Sequence, residues 1–156
     1  MIKIEKALLE DAERITEIKT RAYNKEINTY LGRDGGPTGY NEVSSEVYII
    51  EHFMAYKIVL EGRIMGAFFL IPVGENEMQF EDFVIEPEQQ NKGYGYKVLN
   101  LVEQAYPHIK AWHLSTPIFS VGNQHLYEKF GYECESINEN EIIYKKSCIC
   151  FRVLKG

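Results

Sequence analysis

Residues 86–102 read EPEQQNKGYGYKVLNLV, a glycine-containing loop that leads into a helix. Gly93 and Gly95 follow a polar run, and Val98 and Val102 then repeat at helical spacing. Glycines leave backbone N–H groups unobstructed, and the first turn of a helix carries partial positive charge, so such a loop suits a phosphate group. The stretch predicts an anion site on a mixed α/β fold.

Two common phosphate-binding motifs do not fit this loop. The dinucleotide fingerprint G-x-G-x-x-G requires a glycine where Val98 stands, and the P-loop pattern G-x-x-x-x-G-K-[ST] does not occur in the chain. A plain strand-to-helix turn explains the stretch by itself as well as an anion site does. The rest of the sequence has to decide between them.

Length and composition predict a single domain over residues 1–156. A hydrophobic fraction of 45% and a charged fraction of 26% are typical of a soluble globular protein. We find no apolar run of membrane-spanning length and no signal-peptide core, and therefore expect a cytoplasmic protein without a membrane partner. The net charge of -6 disfavours nucleic acid and mildly favours small cationic partners.

The elements around the loop predict the order β-α-α-β-β-β-α-β-α-β-β. This order indicates an α/β fold with one mixed central sheet whose N-terminal part is antiparallel. The interval between the first two helices, INTYLGRDGGPTGYN at residues 27–41, is predicted to be a flexible loop. The predicted strands cover residues 2–7, 55–60, 64–73, 78–86, 110–116, 132–137 and 142–153, and the predicted helices cover 11–23, 42–53, the segment from the glycine loop to Pro107, and 123–130.

The three cysteines do not predict a metal site. Cys134, Cys148 and Cys150 are odd in number and lack further ligands at suitable spacing. We interpret them as strand residues in a reducing compartment and expect no metal.

Two separated stretches carry a resemblance to a known family. QNKGYG at residues 90–95 resembles the Q/R-x-x-G-x-G/A signature of the GNAT superfamily of N-acetyltransferases, and VIEP at 84–87 precedes it as that family's fourth strand does. NQHLYEKFGY at 123–132 resembles the second hallmark, an Asn followed by LYEKxGF. The resemblance covers about residues 55–135. EDFV at 81–84 is also similar to spermidine/spermine acetyltransferases, but it is too short to transfer polyamine specificity.

The resemblance implies acetyl-coenzyme A as the acyl donor. Its pyrophosphate is expected on the amides of the glycine loop, and its pantetheine arm is expected to pair with the splayed fourth strand. Asn123 is expected either to cap its helix or to bind the pantetheine arm. The predicted cofactor-binding residues are Phe83, Val84, Ile85, Gln90, Asn91, Lys92, Gly93, Tyr94, Gly95, Tyr96 and Asn123.

Direct attack of an amine on the thioester needs a base, an oxyanion donor and an acid, but no metal. Glu81 is the predicted base because the resemblance places a catalytic glutamate of the polyamine enzymes there; Asp82 and His113 are the alternatives. Gln79 occupies the position where other members have a glutamate. By the same resemblance, Tyr127 is the predicted acid, and the backbone N–H of Ile85 is the predicted oxyanion donor.

The acceptor is expected to be a small amine, an aminoglycoside-like compound or a peptide amine. Its predicted walls are the loop at 28–40, with Tyr30 and Tyr40, the hairpin at 68–71, and Asp82. A catalytically silent acyl-coenzyme A binding module and an unrelated nucleotide- or S-adenosylmethionine-binding protein are the competing interpretations. The sequence leaves the oligomeric state open, with a homodimer as one alternative.

Overall fold

The computed structural model describes residues 1–148 as a central sheet between helices on both faces. The strands are β1 Ile2–Lys6, β2 Met54–Leu60, β3 Arg63–Gly74, β4 Glu77–Ile85, β5 Ala111–Pro117, β6 Glu133–Ile137 and β7 Glu141–Ser147. The helices are α1 Ala12–Leu31, α2 Val43–His52, α3 Tyr94–Ala105 and α4 Val121–Phe130.

The seven strands form one sheet in the order β1-β2-β3-β4-β5-β7-β6. Strands β4 and β5 run parallel, while the other neighbouring strands are antiparallel. The parallel pair needs a crossover connection, which α3 supplies. The predicted α/β class with a mixed sheet and an antiparallel N-terminal part is confirmed.

Two irregularities in β4 open the middle of the sheet. Within residues 1–148, β4 pairs with β5 through three residue pairs, the last being Gln79 with His113, and the two strands then separate. On its other side β4 shifts register against β3, so that Glu81 pairs with Phe69. Asp82 is the bulged residue and has a φ of 57°. The bulge and the separation together leave a gap between β4 and β5.

Each face of the sheet has its own apolar core. On one face α3 and α4 cover a core that includes Trp112, Tyr144 and Phe68, all at most 2% exposed. On the opposite face α1 and α2 cover a smaller core around Ile15 and Ile18, which are fully buried. The gap between β4 and β5 therefore connects two separately packed layers.

The structure corrects three predicted boundaries. Helix α1 continues to Leu31, so residues 27–31 are helical instead of loop, and the helix ends at Gly32, whose φ of 70° is left-handed. Helix α4 begins at Val121 and not at Asn123, because Ser120 is its N-terminal boundary. Strand β7 ends at Ser147, and the rest of the predicted last strand, including Cys150, lies outside the described residues.

The helices of residues 1–148 were also compared with the requirements of a bilayer. None of them combines the length and the apolar character that crossing a membrane demands.

Candidate active site

The glycine loop presents a row of unpaired backbone donors. Among the described residues, the N–H groups of residues 91 to 96 donate to no backbone or side-chain acceptor. Gly93 precedes α3 with a φ of 83°, a backbone conformation that residues with a side chain rarely adopt. No side chain caps the helix. These N–H groups at a positive helix end form a site suited to a pyrophosphate.

The two glycines of the loop have different roles. The position of a Cβ on Gly93 is open space, with no atom within 4 Å. A Cβ on Gly95 would lie 2.8 Å from Leu126 Cδ2, so Gly95 permits the close approach of α3 to α4. The conformation of Gly93 shapes the loop, whereas Gly95 mainly allows helix packing.

The side chains of the loop make contacts of their own. The amide of Gln90 donates to the Ile85 carbonyl at 2.9 Å and accepts from Lys25 at 3.1 Å, which ties the loop to β4 and α1. Lys92 donates to Gln89 at 3.2 Å on the surface. Asn91 has a φ of 62°, and Tyr96 packs edge-on against Phe130 at 5.1 Å. Tyr94 begins α3 and is half-buried.

The second half of β4 has one free edge. Val84 and Ile85 pair with β3, but no described strand pairs with their other side. The Val84 side chain is 5% exposed in the core under α1, while Phe83 packs edge-on against Phe80 at 5.3 Å on the other face. An extended ligand arm can therefore pair with this edge as an added strand. Together with the amide row, the edge fits coenzyme A.

A cavity of about 540 Å³ occupies the gap and crosses the sheet. Phe80, Phe83 and Tyr127 line it on the α4 face, and the bulged Asp82 also lines it. Helices α1 and α2 and the loop at residues 36–40 close it on the opposite face. The cavity is therefore lined from both faces of the sheet, and its part under α1 and α2 forms a chamber.

The chamber under α1 and α2 is acidic. Its charged lining consists of four carboxylates and one ammonium: Glu26, Glu46, Glu81, Asp82 and Lys19. Burial raises the pKa of Glu26, Glu46 and Glu81, although Lys19 partly offsets this for Glu46 and the Gln79 amide does so for Glu81. The chamber is complementary to a cation.

Lys19 is the centre of a buried ion cluster. Its ammonium, 3% exposed, lies 2.5 Å from Glu46 and also donates to Asp82, which accepts from the Tyr23 hydroxyl as well. Burial alone would lower the pKa of Lys19, but Asp82 and Glu46 raise it above its usual value. Burial raises the pKa of Tyr23, and Asp82 raises it further. The cluster holds α1, α2 and the bulge together.

Glu81 and Tyr127 stand on opposite sides of the gap. Glu81 lines the cavity and accepts a hydrogen bond from Gln79. Tyr127 is 4% exposed, and its hydroxyl makes no hydrogen bond within residues 1–148. Burial raises the pKa of Tyr127, with smaller contributions from Glu26 and Glu81. The structure thus brings the two predicted catalytic side chains to one cavity.

Of the other predicted site residues, some line the cavity and others lie outside it. Asn123 lines the cavity from inside α4, so its predicted capping role is wrong, and Tyr40 lines the cavity at the loop. Tyr30 is 45% exposed, packs against Phe119 at 5.4 Å and lies outside the cavity lining. His113, an alternative base, bonds Glu77 at 2.7 Å in a neighbouring groove.

Sequence reasoning missed four titratable residues that line the cavity. They are Lys19, Tyr23, Glu26 and Glu46. A signal for one of them was present, because Lys19 falls on the apolar stripe of α1 beside Ile18 and Ala22. A charged residue on a buried stripe indicates a buried partner.

A comparison with family models identifies the domain. The model of the acetyltransferase (GNAT) domain matches residues 45–134. No curated protein matches the chain.

Solved structures share the fold at low sequence identity. PaiA N-acetyltransferase from Thermoplasma acidophilum, in complex with coenzyme A, has a TM-score of 0.75 and 18% identity, over 94% of this chain and 99% of that one. A chimera of the spermidine N-acetyltransferase SpeG from Vibrio cholerae and hSSAT has a TM-score of 0.75 and 16% identity, over 97% and 98%. A GNAT-family acetyltransferase from Streptococcus agalactiae has 0.78 and 14%, over 94% and 95%. With the signature loop, the separated strands and the match over more than half of its length, the chain belongs to the GNAT acetyltransferase family.

Proposed function

We propose that the protein transfers an acetyl group from acetyl-coenzyme A to a primary amine by direct attack. The observation that carries the proposal is the cavity that crosses the sheet, because it joins a donor side to an acidic chamber. On the donor side, the row of free amides at residues 91–96 would hold the pyrophosphate, and the free edge at residues 83–85 would hold the pantetheine arm.

The acidic chamber would bind the acceptor as an ammonium ion. A protonated amine has no lone pair, so a base must remove a proton before attack. Glu81 would do so, directly or through water, because burial raises its pKa toward that of an effective base at neutral pH. The alternative base, Asp82, is already bound to Lys19 and Tyr23.

The amine nitrogen then bonds to the thioester carbon, and the C–S bond breaks. A backbone N–H on the free edge of β4, such as that of Ile85, would stabilise the negative oxygen. Tyr127 would give its proton to the departing sulfur, since its hydroxyl makes no other hydrogen bond within residues 1–148. The products are an amide and coenzyme A, with one proton released overall.

A two-stage experiment tests this function. First, the thermal stability of the protein is measured with acetyl-coenzyme A, S-adenosylmethionine, NAD and ATP. A true ligand at 100 times its Kd stabilises by about 2.7 kcal/mol, so acetyl-coenzyme A alone should raise Tm clearly. No shift with acetyl-coenzyme A refutes donor binding.

The second stage measures thiol release with amines of graded charge. The panel contains a monoamine, spermidine, an aminoglycoside, a lysine peptide and a peptide with a free N-terminus; spermidine is included because one structural neighbour is named as a spermidine N-acetyltransferase. We expect cationic amines to react faster than neutral analogues of the same length. Tight donor binding without transfer to any amine would instead identify a catalytically silent acyl-coenzyme A binding module.

A further inference from the structure

Thr116, near the end of β5, carries a buried hydroxyl without a partner. The residue is 2% exposed, lines the cavity, and its Oγ1 atom makes no hydrogen bond within the described part of the chain. An unpaired buried hydroxyl destabilises a protein, whereas an apolar group of the same shape does not. A bound ligand that accepts a hydrogen bond would remove this cost.

The register of the sheet places Thr116 at the reacting end of the gap. Gln79 pairs with His113, and three residues further along each strand stand Asp82 and Thr116, on either side of the gap. Trp112, Leu114 and Thr116 are two residues apart along β5, so their side chains share the face that α4 covers. Thr116 therefore lies across the gap from the bulge, on the same face as Tyr127.

The two faces of the cavity separate the nucleophile from the leaving group. The carboxylates that would bind the amine lie on the α1 face, and Tyr127, the proposed acid, lies on the α4 face. Tyr127 can protonate the departing sulfur only if the sulfur lies within hydrogen-bond reach of its hydroxyl, on the α4 face. The group nearest to an unpaired donor on the α4 face is then the departing sulfur.

We propose that the Thr116 hydroxyl donates a hydrogen bond to the thioester sulfur and stabilises the thiolate as it leaves. This inference rests on the proposed function. In the step, the N–C bond forms, the C–S bond breaks and its electron pair stays on sulfur. Tyr127 gives sulfur the proton, Glu81 takes the proton from the amine, and Thr116 keeps its own proton. Thr116 is thus a second hydroxyl that contacts the reacting atoms.

Three variants test the proposal. Thr116→Val keeps the shape and removes the hydroxyl, and Thr116→Ser keeps the hydroxyl. Thr20→Val is the matched control, since the Thr20 hydroxyl lies outside the cavity lining and already donates to the Thr16 carbonyl at 2.7 Å. We expect kcat with acetyl-coenzyme A to fall roughly ten- to a hundredfold in Thr116→Val, with substantial recovery in Thr116→Ser and little change in Thr20→Val.

Two readouts do not depend on turnover. Without ligand, Thr116→Val should melt at a higher temperature than the wild type, because the substitution removes an unpaired buried hydroxyl. With coenzyme A bound, the ultraviolet absorbance of the thiolate reports the pKa of the thiol, which should rise by about one unit in Thr116→Val. The change in melting temperature checks that the hydroxyl is unpaired, and the change in the thiol pKa is the one that a merely structural role does not predict.

The outcomes separate the two proposals. If the wild type transfers acetyl groups, then a kcat of Thr116→Val within twofold of the wild type overturns the role of Thr116 alone. A Thr116→Ser variant as slow as Thr116→Val also overturns it, because shape and not the hydroxyl would then matter. A wild type that neither binds coenzyme A nor acetylates an amine overturns the proposed function and, with it, this inference.

Discussion

Replacing Lys19 by methionine tests the buried ion cluster most directly. Methionine fills similar space but carries no charge, so Glu46, 4% exposed, and Asp82 lose their shared cation. Removing one partner of a buried ion pair costs about 3–5 kcal/mol. In a domain of this size that loss lowers Tm by roughly 6–20 °C.

The loss of stability should depend on pH. Burial raises the pKa of Glu46 from its ordinary value of 4.5, and the opposing effect of Lys19 is lost in Lys19→Met, so this pKa rises further. A carboxyl whose pKa is raised by folding binds more protons in the folded state. The penalty is therefore absent well below the ordinary pKa, grows as the pH rises from the ordinary pKa toward the raised one, and stays constant at higher pH.

Urea unfolding of the wild type and Lys19→Met at pH 4.5, the ordinary pKa of the carboxyl, and at about pH 9 measures this effect. The control is Lys3→Met, because Lys3 is 58% exposed and its contact with Glu5 is 3.4 Å long. An exposed pair contributes at most about 1 kcal/mol. A Lys19→Met variant as stable as Lys3→Met at the higher pH, or one whose loss does not grow with pH, would refute the role given to the cluster.

Three further predictions concern the proposed catalytic residues and the glycine loop. Glu81→Gln should lower kcat by about a hundredfold or more. Because burial raises the pKa of Glu81, the kcat of the wild type should fall as the pH drops through that pKa. The kcat of the variant should not show this fall. Equal turnover across the pH range would exclude Glu81 as the base. Tyr127→Phe should lower kcat and leave the Kd of coenzyme A nearly unchanged, and an unchanged kcat would restrict the phenol to packing. Gly93→Ala should weaken coenzyme A binding, because a residue with a side chain adopts the left-handed conformation only at a cost of about 1–2 kcal/mol. Gly95→Ala should mainly lower Tm, because its added methyl group would meet Leu126. Isothermal titration with coenzyme A and thermal melts of both variants distinguish the two effects.

The sequence was sufficient for the fold and the family, which depend on local patterns. Alternating and helical periodicities predicted the mixed sheet, and the QNKGYG loop with LYEKFGY predicted the family. Glu81 and Tyr127 were selected from their places in such motifs and line one cavity, while their catalytic roles stay predictions. These features depend on residues that are close together in the chain.

The features that escaped prediction arise from contacts across the fold. The bulge at Asp82 is specified by pairing with β3 and by bonds to Lys19 and Tyr23 from α1, and no local pattern marks it. The extension of α1 to Leu31 was missed because the glycines that follow suggested an earlier end, although the terminating residue is Gly32. The unpaired hydroxyl of Thr116 cannot be seen without the packing around it.

The short contact between β4 and β5 also has a mechanical consequence. All seven strands belong to one sheet, but within the described chain three residue pairs between β4 and β5 join the half with β1–β4 to the half with β5–β7. An extended ligand arm in the gap would lie between the two strands and form hydrogen bonds with the edge of β4 that β5 does not form. Donor binding would then strengthen a junction that otherwise depends on these few pairs and on the apolar core under α3 and α4.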